Sequence, residues 1–137
     1  MTIDQTREAY VAEFHKAMGM ERQARLSVPL LQLRMDLIQE EMLELKQAVD
    51  SVCGKIWYHK AVPPSEVAHI LKELADCQYV ISGFADAFGL PMQPAFIRVH
   101  KSNMSKLEDG KPVKREDGKV LKGKNYTPPN LTDLVRS

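Results

Sequence analysis

Residues 27–54 read SVPLLQLRMDLIQEEMLELKQAVDSVCG, and this stretch decides the fold of the chain. Ser27 followed by Pro29 is typical of a helix start, and Gly54 is typical of a helix end. Between them, apolar residues recur at the spacing of one helix face. Three acids fall in the same sector as Leu30, Leu33, Leu37 and Ala48, namely Glu40, Glu41 and Glu44. The stretch therefore predicts a long helix with carboxylates on its apolar face.

Three further helices are predicted on either side of this one. Apolar periodicity together with glycine and proline boundaries places them at residues 4–19, 63–89 and 92–106. Helices with one apolar face and short connections bury those faces against one another. The expected fold is therefore all-α, with a four-helix bundle as its core.

The chain changes character beyond Lys106. The sequence EDGK occurs at 108–111 and again at 116–119, and Asp-Gly pairs between short apolar runs predict turns and a hairpin. Residues 100–137 hold nine Lys/Arg against five Asp/Glu, whereas the whole chain of 137 residues is balanced at 19 against 18. We predict one domain over 1–137, made of a helical bundle (1–106) and a basic tail (107–137).

Composition excludes several classes of protein. No apolar run approaches the roughly 18 residues that a membrane span needs. Cys53 and Cys77 form no CxxC or Cys/His cluster, which argues against a zinc finger and fits a reducing compartment. No export signal is visible near Met1, so we expect a cytoplasmic protein, or one in a host cytoplasm if the gene is phage-borne.

The acids of the second and third predicted helices indicate a metal site. Glu73 and Asp76 share an apolar sector of the third helix, as Glu41 and Glu44 do on the second. Solvated helix faces are the ordinary explanation of such acids. However, burying unpaired carboxylates costs several kcal/mol each, and no matching set of inward Lys or Arg is predicted on these helices. Two facing i,i+3 pairs can instead present four carboxylates to Mg²⁺ or Mn²⁺, which oxygen ligands favour over Zn²⁺.

Other metal chemistry is disfavoured. A di-iron carboxylate bundle needs Glu-x-x-His on two helices, but residues 44 and 76, three positions after Glu41 and Glu73, are Glu and Asp. His15, His59 and His69 lack metal-ligand spacing, so we assign them no chemistry.

The acidic motifs resemble those of a known superfamily. EExxE at 40–44 is followed, after 28 residues, by ExxD at 73–76. This pair resembles the all-α nucleoside triphosphate pyrophosphatases, comprising the MazG-like proteins and their phosphoribosyl-ATP pyrophosphohydrolase-like relatives. The block 99–106, the Asp-Gly turns and NYTPP at 125–129 are similar to the latter branch. The resemblance implies Mg²⁺-dependent cleavage between the α and β phosphates of a nucleotide, with Mn²⁺ as a substitute and two or three ions per site.

The resemblance also implies roles for single residues. By motif position, the metal ligands are Glu41, Glu44, Glu73 and Asp76, and Glu40 matches the general base. The basic segment adds candidates for substrate binding, with a solvated helix end or simple tail packing as the alternative: Lys101, Asn103, Lys106 and Tyr126. Trp57, placed in the connection after the second helix, is interpreted as an interface aromatic.

Substrate and partners are less determined. We expect a deoxynucleotide such as dGTP, dUTP or dCTP, with phosphoribosyl-ATP as the alternative, because compact phosphoribosyl-ATP pyrophosphohydrolases usually lack so long a tail. A non-catalytic helical module with a nucleic-acid-binding tail is a second alternative, disfavoured by the lone aromatic Tyr126 and the absence of a dense basic stripe. The superfamily forms dimers or dimers of dimers, so a homo-oligomer, with a tetramer as its expected form, should cover the apolar flank of Leu31, Ile38, Met42 and Val49.

Overall fold

The computed structural model describes residues 5–135. Its elements are α1 (Arg7–Ala17), α2 (Val28–Trp57), α3 (Pro64–Ala87), α4 (Met92–Met104), β1 (Val113–Lys114), β2 (Val120–Leu121) and a 3-10 helix at Thr132–Leu134. The predicted all-α class is confirmed, with four helices and one small two-stranded sheet in the described part of the chain. None of the helices in residues 5–135 has the length and apolar character needed to cross a membrane. The predicted helix start at Asp4 lies outside the described residues.

Helix ends follow the predicted boundaries with two exceptions, the start of α1 and the end of α2. The helix predicted from residue 4 begins at Arg7, because the Thr6 side chain caps it by accepting a hydrogen bond from the backbone N–H of Ala9. Ser27 caps α2, because its Oγ accepts a hydrogen bond from the backbone N–H of Leu30 at 3.4 Å. Gly19 and Gly89 follow α1 and α3 with φ of +67° and +63°, a backbone conformation that favours glycine. Gly54, in contrast, does not end α2, since a glycine weakens a helix without removing a backbone hydrogen bond. Trp57 is therefore the last residue of α2 and not part of the connection.

The chain divides into two compact units, which meet in sequence at Gly89 and Leu90. In the first unit, α3 packs against both α2 and α1. Helix α2 runs antiparallel to α3, because its early residue Arg34 lies beside Gly83 whereas its late residue Lys55 binds Glu66. The fully covered apolar residues of this unit are few and mostly small: Val11, Ala48, Cys77, Ala85, Ala87 and Phe88.

A buried polar cluster centred on Asp86 attaches α1 and the following segment to α3. The Nδ1 atom of buried His15 lies 2.7 Å from one oxygen of Asp86, and Arg22 donates to both oxygens of the same carboxylate. Near this cluster, Gly83 leaves room for the His15 ring, since a Cβ at that position would lie 3.4 Å from two ring atoms. His15 is thus a buried histidine with a hydrogen-bond partner, as its lack of metal-ligand spacing suggested.

In the second unit, the tail packs on α4. Arg98 of α4 donates to both carboxylate oxygens of Asp133, and the Ser102 hydroxyl donates to the carbonyl of Thr127 at 2.8 Å. Close packing also requires Gly123, because a Cβ there would lie 2.7 Å from the Lys106 carbonyl oxygen. The predicted hairpin is confirmed by antiparallel pairing of β1 with β2.

The Asp86 cluster gives a stability prediction with a defined pH dependence. Burial raises the pKa of Asp86 more than any other single cause, but the hydrogen bonds from Arg22 and His15 and their charge together lower it below its usual value. A carboxylate with a lowered pKa stabilises the fold above the pKa of the unfolded chain, near 4, and this stabilisation is lost as pH falls through the folded pKa. Asp86→Asn should therefore reduce the free energy of unfolding by about 3 kcal/mol at pH 7.

Urea unfolding of wild type and Asp86→Asn across the range from pH 7 down to about pH 3.5 checks this expectation. The difference between the two proteins should shrink at the acid end. If the difference in the free energy of unfolding were constant over the whole pH range, the packing of the Asp86 side chain, and not its charge, would stabilise this part of the fold.

Candidate metal centre

Four carboxylates from α2 and α3 meet in the interface between the two helices. They are the i,i+3 pairs predicted from the sequence, Glu41 with Glu44 and Glu73 with Asp76. One oxygen of each carboxylate lies within 4.8 Å of the chosen oxygens of the other three. Residues three apart project from the same side of a helix, and the antiparallel packing of α2 on α3 brings the two sides together. We call these four residues the carboxylate cluster.

The carboxylate cluster contains buried oxygens without protein partners. Glu73 is only 3% exposed, and neither its Oε2 atom nor the buried Oε2 atom of Glu41 accepts a hydrogen bond from residues 5–135. Burial, then the hydrogen bond and charge of Glu44, then the charges of Asp76 and Glu73 raise the pKa of Glu41. Because unpaired buried carboxylates are costly, this arrangement fits a divalent cation that would take up the free oxygens. Such a donor set of oxygens suits Mg²⁺ or Mn²⁺.

Cys77 lies next to Asp76 and is buried, yet its sulfur does not extend the donor set. Burial, followed by the negative charges of the four carboxylates, raises the pKa of the Cys77 thiol. The thiolate is the form that ligates metals, and a raised pKa disfavours it. The donor atoms that residues 5–135 bring together are the four carboxylate oxygens.

Two basic side chains from α3, Lys72 and His69, reach the edge of the carboxylate cluster. The Nζ atom of Lys72 lies 2.7 Å from Asp76 Oδ2 and 3.4 Å from Glu73 Oε1, although the Lys72 side chain is 62% exposed. The hydrogen bond to Asp76 is the main cause that raises the pKa of Lys72. His69 Nε2 stands 3.6 Å from Glu73 Oε1 and is also exposed. One ammonium at the rim leaves most of the negative charge of four carboxylates uncompensated.

The face of α2 that points to α3 is narrower than the sequence predicts. Leu33 is 52% exposed, and Glu40 is exposed and lies outside the carboxylate cluster. Each precedes an inward residue, Arg34 or Glu41, by one position, which turns it about 100° around the helix. The sector of α2 that was predicted to face inward is therefore too wide, because it includes Leu33 and Glu40. The role of Glu40 as general base stays a prediction.

Arg34 is the site residue that sequence reasoning missed. It is only 7% exposed, so α2 carries one inward arginine, although no set of inward Lys or Arg to match the four carboxylates was expected. The buried Nε atom of Arg34 has no hydrogen-bond partner among residues 5–135. Its spacing of seven residues from Glu41, which puts both on one face of α2, was the signal available in the sequence.

The predicted substrate-binding residues all lie in the second unit. Lys101 and Asn103 are exposed in the last turns of α4, and Lys106 follows just after the helix. Backbone hydrogen bonds connect Gly123 to Lys106 and Tyr126 to Gly123, so the structure gathers the four candidates near the end of α4. The Nζ atom of Lys122 lies 4.7 Å from the centre of the Tyr126 ring, and this cation–π contact covers one ring face.

Comparison with known proteins identifies the family. The family model described as phosphoribosyl-ATP pyrophosphohydrolase (PRA-PH) matches residues 11–103, which is more than half of the chain and includes all of α2 and α3. No curated protein matches the chain. The match confirms the resemblance predicted from EExxE and ExxD. The chain belongs to the phosphoribosyl-ATP pyrophosphohydrolase family, a group of hydrolases acting on phosphoric anhydride bonds within the all-α MazG-like NTP pyrophosphatase superfamily.

Proposed function

We propose that this protein is a divalent-metal-dependent nucleotide diphosphatase that hydrolyses the bond between the α and β phosphates of a nucleotide triphosphate group. The observation that carries the proposal is the carboxylate cluster, with its two buried oxygens that have no protein partner. Family membership supports the reaction class, because its members are pyrophosphohydrolases. The products are a nucleoside monophosphate, or its phosphoribosyl derivative, and pyrophosphate.

In this mechanism Glu41, Glu44, Glu73 and Asp76 would hold two or three Mg²⁺ ions, for which Mn²⁺ would substitute. When bound, such ions would supply positive charge against the phosphates and a lowered pKa of coordinated water. Glu40 accepts a proton from the attacking water, whose oxygen forms a bond to the α phosphorus. The bond from that phosphorus to the bridging oxygen breaks, and pyrophosphate leaves with the electron pair. The chain contributes positioning and electrostatic stabilisation of this transition state.

We further infer that the basic end of α4 recognises the substrate. The ammonium groups of Lys101 and Lys106 suit the β and γ phosphates as point charges, and the Asn103 amide suits a sugar or phosphate oxygen. Tyr126 has one ring face covered by Lys122, which leaves the other for stacking on a base. These roles are proposed from side-chain chemistry.

The proposal also concerns which nucleotide is the substrate. The name of the matching family favours phosphoribosyl-ATP, the alternative substrate, over the dGTP, dUTP or dCTP expected from the long tail. Both kinds of substrate share a 5′-triphosphate bonded to a nucleoside. We therefore propose the triphosphate as the group that the site recognises, with the base or phosphoribosyl group set by contacts outside the carboxylate cluster.

A nucleotide panel tests the proposed reaction. Wild-type protein with Mg²⁺ or Mn²⁺ should convert at least one of the dNTPs, NTPs or phosphoribosyl-ATP to a monophosphate product and pyrophosphate. Asp76→Asn should lower turnover by more than about a hundredfold, because even partners of metal ligands matter tenfold to a hundredfold. Its matched control is Asp50→Asn on α2, because Asp50 also binds a lysine four residues away but lies outside the carboxylate cluster.

Circular dichroism should show wild-type helicity for both variants. Formation of a nucleoside diphosphate and phosphate, or no turnover of any substrate in the panel, would refute the proposed reaction. Full activity of Asp76→Asn would remove Asp76 from the ligand set.

The contact between Lys72 and the carboxylate cluster leads to a prediction about the affinity of the cluster for a divalent metal. The Lys72 ammonium pairs with the Asp76 carboxylate. A divalent ion bound to Asp76 must therefore displace the ammonium or be repelled by its positive charge. Lys72→Met should therefore tighten Mn²⁺ binding by about threefold to tenfold. Lys46→Met is the matched control, since Lys46 makes an equivalent i,i+4 pair with Asp50 at 2.6 Å and should leave Mn²⁺ affinity unchanged. Calorimetric titration with Mn²⁺ measures both, and weaker binding by Lys72→Met would contradict this electrostatic account.

We propose a homo-oligomer, as a dimer or a dimer of dimers, because the first unit exposes large apolar side chains. Met42 is 55% exposed and Val49 is 37% exposed, although Leu31 and Ile38 of the same flank are half-buried. Trp57 lies at the end of α2 and is 78% exposed, so we expect it to be an aromatic residue of the subunit interface. A groove of about 800 Å³ between α1 and α3 adds Tyr10, Phe14, Leu71, Leu74 and Tyr79 to this exposed apolar surface.

Sedimentation velocity at low micromolar concentration measures the oligomeric state. We expect a dimer or tetramer, and Trp57→Asp should shift the distribution toward a smaller species by placing a charge in an apolar contact. Sedimentation of the wild type entirely as a 15.5 kDa species would exclude the proposed assembly.

A further inference from the structure

Arg34 is a buried cation for which the described part of the chain provides no anion. Its residue exposure is 7%, and its Nε atom is buried without a hydrogen-bond partner. The Nη1 atom lies 3.5 Å from the position of a Cβ on Gly83, so the guanidinium sits where α3 has no side chain. Asp86, which follows Gly83 by one helical turn, already binds Arg22 and His15. No ion pair joins it to Arg34 among residues 5–135.

Burial of this side chain has an energetic consequence. An arginine keeps its charge in proteins, and a buried charge without a partner is strongly unfavourable. Buried arginines are therefore found with carboxylates, phosphates or other acceptors, and the planar guanidinium fits a phosphate through two parallel hydrogen bonds. Arg34 meets the criteria for an anion site, as the carboxylate cluster meets those for a cation site.

The position of Arg34 relates the two sites. Arg34 precedes Glu41 by seven residues on α2, so both side chains leave the same helix face about 10 Å apart along the axis. Gly83, opposite Arg34, follows Asp76 of the cluster by the same seven residues on α3. The same helix interface thus holds four carboxylates with the exposed Lys72 ammonium at their rim. Two turns away it holds an arginine for which residues 5–135 provide no anion.

We propose that Arg34 binds the terminal phosphate of a triphosphate whose reacting phosphates lie at the carboxylate cluster. This inference rests on the proposed function, and it assigns the terminal phosphate a binding residue of the first unit. About 10 Å of helix axis lies between the backbone positions of Arg34 and Glu41, so the terminal phosphate, which is the one furthest from the reacting phosphate, is assigned to the guanidinium. The hydrogen bonds to that phosphate satisfy the unpartnered donor of Arg34.

Calorimetric binding of two simple anions tests the assignment. Wild type and Arg34→Gln, each loaded with Mn²⁺, are titrated with tripolyphosphate and with pyrophosphate. Loss of charged hydrogen bonds should weaken tripolyphosphate binding by about tenfold to a hundredfold and leave pyrophosphate binding essentially unchanged. Arg34→Lys should restore part of the lost affinity, because it keeps the charge but not the planar fork. Arg98→Gln, which removes an arginine already bound to Asp133, is the control for general charge loss and should leave both affinities unchanged.

Thermal unfolding separates binding from a structural role. Removal of an unpartnered buried charge should leave the midpoint of Arg34→Gln unchanged or raise it, and its Mn²⁺ affinity should equal that of wild type. A lowered midpoint together with wild-type affinity for tripolyphosphate would overturn the inference and make Arg34 a structural residue. Equal losses for tripolyphosphate and pyrophosphate would contradict its assignment to the terminal phosphate. Absence of nucleotide turnover by wild type would refute the proposed function, and the two anion titrations would still decide the role of Arg34.

Discussion

The antiparallel packing of α2 on α3 with carboxylates in the interface is the constraint on which the rest of the structure depends. Four acids whose oxygens lie within 4.8 Å of one another repel, and two of their buried oxygens have no partner. The helices must therefore be held together by contacts on either side. At one end of their interface Lys55 of α2 binds Glu66 of α3. At the other end of α3 the Asp86 cluster attaches α1 and Arg22, which lie before α2 in the chain. The fold tolerates an unfavourable centre because its flanks are hydrogen-bonded.

The polar groups inside the first unit fall into two sets, one whose hydrogen bonds are complete within residues 5–135 and one whose hydrogen bonds are not. Asp86 has both of its oxygens occupied by Arg22 and His15, as expected for a group that stabilises the fold. Glu41 and Glu73 instead retain unpaired buried oxygens, and Arg34 retains an unpaired donor. Unsatisfied buried groups of opposite charge on one interface are expected where a ligand completes the hydrogen bonding. A metal–triphosphate complex carries both of the missing charges.

The carboxylate cluster and its ligand chemistry could be predicted from the sequence, because i,i+3 spacing fixes which side chains share a helix face. The hairpin followed from its Asp-Gly turns, and the family followed from EExxE and ExxD. The width of the face of α2 that points to α3 could not be predicted. Leu33 and Glu40 lie one position, or about 100° of rotation, before Arg34 and Glu41, and only the contact with α3 shows which of these neighbours point inward. The persistence of α2 past Gly54 was missed for a similar reason, because glycine only lowers local helix stability.

The sequence by itself determined the four helices, the two pairs of acids and the family motifs whose resemblance implies the reaction class. Only the tertiary structure decided that Arg34 is buried, that Lys72 touches the cluster and that Glu40 lies outside it. The physical reason is that periodicity defines directions around one helix axis, whereas burial and pairing depend on a second helix. The register of α2 against α3 is set by packing, and it converts two acidic stripes into one candidate centre.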